Sequence, residues 1–200
     1  MLPRVRAPLT IISKPLTLSF IWRYKAKVEK EGDGEINESI CRGRFYRNSQ
    51  GDTRTEFFAD EKRELISLII LWCACKQEIS FVSPHQQRIQ KATNPNFPRE
   101  HQWTQSGFCR IQSTNEEKAI LGLACTRVLL LPFEEISIEL YDETPKLEDD
   151  CWVSYEWGLV LLDKERTDCR EICWEVTSIH IGEPSFSLLE TPSGLSEIPL

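Results

Sequence analysis

Residues 16–28 read LTLSFIWRYKAKV. Leu16, Leu18, Phe20, Trp22, Tyr24, Ala26 and Val28 occupy every second position of that run. Side chains of a strand alternate between two faces, so a period of two over thirteen residues predicts a half-buried β-strand. Outward from it, EGDGE (31–35) supplies a turn and SICRGRFYR (39–47) a second strand. NSQGD (48–52) follows, with Gly51 where a loop wants a positive φ. TRTEFF (53–58) then returns, so residues 39–58 read as a hairpin.

LISLIILW (65–72) is apolar at nearly every position. Such a run suits a buried strand or a short helix, and its isoleucines favour the strand. Residues 77–82 form a further strand, SPHQ (83–86) a turn and residues 88–93 the returning strand. NPNFP (94–98) is too proline-rich for regular structure. In the second half, residues 119–131 give strand-like runs around Gly122, and residues 136–141 alternate Ile136, Ile138 and Leu140. Residues 143–150 read as an acidic exposed loop. Residues 152–155, 159–164 and 172–181 read as a three-strand meander that stops at Gly182-Glu183-Pro184. One helical turn is expected within 185–190, and no helical pattern exceeds three turns. The expected fold is mostly β: a curved antiparallel sheet or half-open barrel with little helix. It would form one β-rich domain over 16–192, between a flexible segment (1–15) and a loose tail (193–200).

The formal net charge of −7 over 200 residues disfavours nucleic acid, whose affinity rests on lysine and arginine. No run of 18 apolar residues predicts a transmembrane helix. The first residues carry two arginines and an apolar run, as a signal peptide does, but Lys14 and Pro15 break the run and no small-x-small site follows. The reading is therefore a frayed edge strand, with no clear signal peptide.

Eight cysteines stand at 41, 73, 75, 109, 125, 151, 169 and 173. Most lie in apolar runs, which predicts buried, reduced thiols, with room for one or two bridges. Cys73-Ala74-Cys75 would place two thiols on one face of a strand, and Cys169 with Cys173 would be a second pair. The spacing falls short of a zinc knuckle, so no metal and no cofactor is expected. His85, His101 and His180 lie far apart and outside any metal motif. Glu143, Glu148, Asp149 and Asp150 lack the glycine-centred spacing of a calcium loop. No Walker loop, G-x-S-x-G or G-x-G-x-x-G occurs, so no catalytic residue is assigned and no enzyme is expected.

The hairpin GRFYRNSQGDTRTEF (43–57) resembles a motif of a group of uncharacterised exported proteins abundant in acidobacteria, as do ILGLACTRV, FVSPHQQRIQKAT and the ending WVSYEWGLVLLDKERTDCREICWEVTSIHIGEPSFSLLETPSG. The matches keep their order over roughly the last four-fifths of the chain. More distantly, the pattern resembles the lipoprotein-carrier-like fold of periplasmic carriers. The chain departs from the group at Cys41, Cys125, Cys151, Cys169 and Cys173 and in the apolar run LISLIILWCAC. The resemblance implies a periplasmic or extracellular protein that binds a lipid, an acyl chain or a protein partner.

Aromatic side chains are the best candidates for such a face, because ligand pockets are mostly apolar. Trp72, Phe81, Trp152, Trp157 and Trp174 are the candidate ligand-binding residues. The leading reading is a non-enzymatic, envelope-associated β protein that uses one sheet face. The rival is a structural or protein-interaction module with a filled core and no small-molecule ligand.

Overall fold

Thirteen strands and two short 3-10 turns account for the regular structure of the described residues. The structure, a computed structural model, describes residues 14–28, 35–59, 65–93, 109–132, 148–166 and 170–198. The strands are β1 (Leu16–Val28), β2 (Glu35–Arg47), β3 (Thr53–Phe58), β4 (Ile66–Cys73), β5 (Glu78–Ser83), β6 (Arg88–Thr93) and β7 (Cys109–Ile120). They continue with β8 (Leu123–Pro132), β9 (Glu148–Asp149), β10 (Cys151–Ser154), β11 (Leu159–Arg166), β12 (Arg170–Ile181) and β13 (Ser196–Glu197). The 3-10 turns are Pro84–Gln86 and Phe186–Leu188. The β class, the antiparallel pairing and the scarcity of helix among the described residues agree with the alternation in the sequence.

Hydrogen bonding orders the strands β13-β6-β5-β4-β3-β2-β1-β12-β11-β10-β8-β7, with β9 on β11. The order is open among the described residues, its ends being β13 and β7. The run 65–72 resolves as strand β4, because it pairs on both sides, with β3 and β5. Of the turn expected at 31–35, residues 31–34 lie outside the described residues and Glu35 already begins β2; the connection at 94–98 and the strand at 136–141 also lie outside them. The acidic stretch 143–150 is described only from Glu148, where Glu148 and Asp149 form β9.

Residues group into two compact units. The first unit comprises residues 1–10, 22–40 and 100–175. Its described core includes a cluster of Val128, Cys151 and Val153, with Tyr155 and Val160 packed on it. β7 and β8 form a hairpin that turns at Leu121 (φ 50°) and Gly122 (φ 81°). Two successive positive φ angles match the right-handed twist of the flanking strands. The second unit comprises residues 11–21, 41–99 and 176–200. Here β2 to β6 form an antiparallel meander. Ser196 and Glu197 add β13 to the β6 edge in parallel, and the Ile198 amide donates to the Ile89 carbonyl at 3.0 Å. The proline-containing end sequence does not announce this strand.

β4 carries apolar residues on both faces, which is why its sequence runs apolar rather than alternating. One face gathers Ile69, Leu71, Val82 and Ile89, against which Ile66 and Leu195 pack. The same face holds a buried polar network. Arg54 reaches Glu56 at 2.7 Å, and the Tyr46 hydroxyl donates to Glu56 Oε2 at 3.2 Å. Arg54 Nη1 also donates to the Leu188 carbonyl at 3.0 Å. The C-terminal segment thus covers this face, through Leu188 and Leu195.

Burial, and next the Glu56 carboxylate, raise the Tyr46 phenol above its ordinary pKa near 10. A folded-state pKa raised above the unfolded one favours the protonated form in the native state. The associated stability is therefore complete below the unfolded pKa and is lost as pH rises through the folded one. Urea midpoints measured up the alkaline range should fall for the native protein, and the fall should be shallower in Tyr46→Phe. Equal slopes would show that Tyr46 does not contribute.

Candidate binding face

The other face of β3–β6 is built in cross-strand rows. Phe57 stands opposite Leu68. The next row runs Thr55, Ile70, Phe81 and Gln90, and the next Thr53, Trp72, Ile79 and Ala92. Residues directly opposite on one face are within side-chain contact, so the rows make one apolar surface. Ile70, Trp72 and Ile79 are buried at its centre. Phe57, Leu68, Ala74, Phe81 and Ala92 pack around them and remain partly exposed. Phe20 of β1 extends the surface, its ring edge-on to Phe57 at 5.7 Å and 73°. Gly43 makes room for that ring. A Cβ there would overlap Phe20 and the Glu56 carbonyl oxygen.

At the β5–β6 turn the surface opens into a cavity of about 330 Å³. Leu68, Phe81 and Ile198 form its apolar wall. Ser83, Gln86, Arg88 and Gln90 form its polar side. Pro84 starts the 3-10 turn that places Gln86, and Gln87 closes it in the left-handed region at φ 50°. Arg88 is exposed, so its guanidinium is available at the rim. The volume lies at the small end of the ligand-pocket range, roughly 300–1,000 Å³.

Trp72 and Phe81 belong to this face. Trp152, Trp157 and Trp174 belong to the first unit. The Trp152 ring lies under the Lys118 ammonium at 3.7 Å, and its indole nitrogen donates to Asp150 at 2.8 Å. Asp150 also meets Arg127 at 3.1 Å, and Arg127 meets Glu116 at 3.0 Å. Trp174 donates to the Val160 carbonyl at 3.3 Å. Trp157 sits half-buried in the turn between β10 and β11. Leu68, Arg88 and Ile198 were not singled out from sequence. Leu68 lay within the apolar run, but its face was undetermined there.

Among the described residues no group of three or more His, Cys, Asp or Glu side chains is arranged to hold a metal. No described helix is long and apolar enough to cross a membrane. Cys73 and Cys75 do not alternate along a strand as expected. Cys73 ends β4 and Cys75 lies in the following turn, with the two sulfurs 3.3 Å apart. Cys125, Cys151 and Cys173 are buried free thiols. Cys169 lies outside the described residues.

No family model and no curated protein matches the sequence. Solved structures do match. A chain of the Pseudomonas aeruginosa MucA/MucB complex aligns over 94% of this chain and 60% of its own length, at 8% identity and a TM-score of 0.51. This chain therefore spans about three-fifths of that relative. A LolA superfamily protein from Nitrosomonas europaea aligns over 94% and 93% of the two chains, at 8% identity and a TM-score of 0.39. An outer membrane lipoprotein-sorting protein domain from Vibrio parahaemolyticus aligns over 86% and 88%, at 7% identity and a TM-score of 0.37.

Proposed function

We propose that this protein is a non-catalytic binding protein of the cell envelope, which holds a single-chain amphiphile such as a fatty acid on the β3–β6 face. The acyl chain lies along Phe57, Leu68 and Phe81, and the anionic head group meets Arg88 at the cavity rim. The observation that carries this reading is the cavity itself, where a part-exposed apolar row meets a polar rim bearing one cation. Apolar walls supply affinity and a few polar groups fix orientation. Envelope placement draws on the names of the structural neighbours, one of which is an outer membrane lipoprotein-sorting domain. Trp152, Trp157 and Trp174 are proposed as a second aromatic contact site, within the first unit. A second reading, a protein partner on the same face, is favoured by the TM-score of 0.51 to a chain of a two-protein complex.

Titration with a fluorescent long-chain fatty acid tests the first reading. Saturable binding is expected. Phe81→Gln removes aromatic contact worth about 1.5–3 kcal/mol, so Kd should rise roughly 10- to 100-fold. Arg88→Gln changes an exposed charge and should weaken binding by about two- to fivefold, more at low salt. No saturable binding by a protein whose circular dichroism shows intact strands would overturn the amphiphile reading and leave the protein partner.

A further inference from the structure

Cys73 and Cys75 flank Ala74 where β4 leaves the sheet. Their sulfurs are 3.3 Å apart, close to van der Waals contact. A disulfide needs about 2.05 Å, which side-chain rotation of about 1 Å supplies. The turn is held from both ends. The Ala74 amide donates to Asp52 Oδ1 at 2.8 Å, and Cys73 pairs with Glu78 in the β4–β5 ladder. Asp52 is itself fixed by Asn48, whose Oδ1 accepts from the Asp52 amide at 2.8 Å. The two thiols therefore meet on an anchored turn, in an orientation that little conformational searching has to find.

Exposure sets Cys75 apart from the other described sulfurs, and Cys41, half-buried like Cys73, has no second thiol in contact with it among the described residues. Cys75 is exposed and Cys73 half-buried, whereas Cys125, Cys151 and Cys173 are buried. Thiol reactivity requires access as well as a thiolate. Burial pushes the Cys73 thiol up, and its contact with Cys75 adds to the rise. Burial likewise raises Cys41, Cys125 and Cys173.

We propose that Cys73 and Cys75 form a reversible dithiol–disulfide site, oxidised by exchange with a small-molecule disulfide. The Cys75 thiolate attacks one sulfur of the disulfide, and the other sulfur leaves as a thiolate that takes up a proton. Cys73 then gives its proton to solvent and attacks the Cys75 sulfur of the mixed disulfide, which expels the second small thiol. Two protein thiols become one disulfide, and one external disulfide becomes two thiols. The site is independent of the ligand proposed for the β3–β6 face.

Oxidised glutathione is the probe, applied to the full chain without oxygen, followed by acid quenching, alkylation and peptide mass mapping. The native protein should give a peptide containing both cysteines, lighter by two hydrogens, with no glutathione retained and with full reversal by dithiothreitol. Cys73→Ser should stop at the first step and retain one glutathione on Cys75. Cys73 is half-buried at the end of its strand rather than in the core, so the near-isosteric serine is tolerated in the fold. Native protein that retains glutathione to the same extent as Cys73→Ser, stays unmodified, or bridges either cysteine elsewhere would overturn the proposal.

Discussion

Gly43→Ala should destabilise the protein by about 3 kcal/mol, at the upper end of typical overpacking costs. For a chain of this size that corresponds to a fall in Tm of roughly 6–12 °C. A new Cβ at Gly43 would overlap the Phe20 ring and the Glu56 carbonyl oxygen on the paired strand. The ring can turn away, but the carbonyl belongs to the β2–β3 ladder and moves only with the strand. Glycine in a strand interior ordinarily weakens it. Here the ring of Phe20, itself fully buried, covers the glycine and restores the lost packing. Phe20→Leu in the Gly43→Ala background should therefore recover only part of the loss. Thermal and urea unfolding of the two variants measure this. A loss below about 1 kcal/mol for the alanine would show that the strands do not approach as described.

Glu56→Ala should cost about 3–5 kcal/mol, because it leaves the Arg54 charge buried without its carboxylate. Arg54 and Glu56 are only 8% and 4% exposed, so water cannot replace the partner without opening the face. The Tyr46 hydroxyl loses its acceptor in the same step. Removing both charges is a different experiment. Arg54→Met with Glu56→Leu keeps volume and removes the desolvation cost of both ions, and such replacements are commonly neutral or stabilising. The double variant should therefore be more stable than Glu56→Ala by several kcal/mol. Urea unfolding of the single and double variants, read as a double-mutant cycle, decides it. If the two are equally destabilised, the network is held by backbone packing and not by the ion pair. Arg54 also binds the Leu188 carbonyl, so Glu56→Ala should loosen the C-terminal segment over that face.

The period-two run at 16–28, the hairpin at 39–58 and the 152–181 meander were legible because alternation and turn chemistry are local. They require only a strand's side-chain geometry and the residues beside each turn. The helix-or-strand ambiguity at 65–72 arose because a strand apolar on both faces has no period to read. It was settled by hydrogen bonds to β3 and β5, neither of which is contiguous with that run. The aromatic candidates were chosen by residue type, which says nothing about direction. Trp72 and Phe81 fall on one surface only because the register places Ile79 and Ile70 opposite them.

By itself the sequence determined the β class, the antiparallel hairpins and most strand limits, since each follows from neighbouring residues along the chain. Tertiary structure decided what lies over each face. The C-terminal segment covers the Ile69–Ile89 side through Leu188 and Leu195, while Leu68, Phe81 and Ile198 form a cavity wall on the other. It also joined Gly43 to Phe20 and Arg54 to Leu188, contacts spanning 23 and 134 positions of chain. Such contacts depend on strand order, and strand order is a property of the whole hydrogen-bonded sheet that no short window of sequence contains.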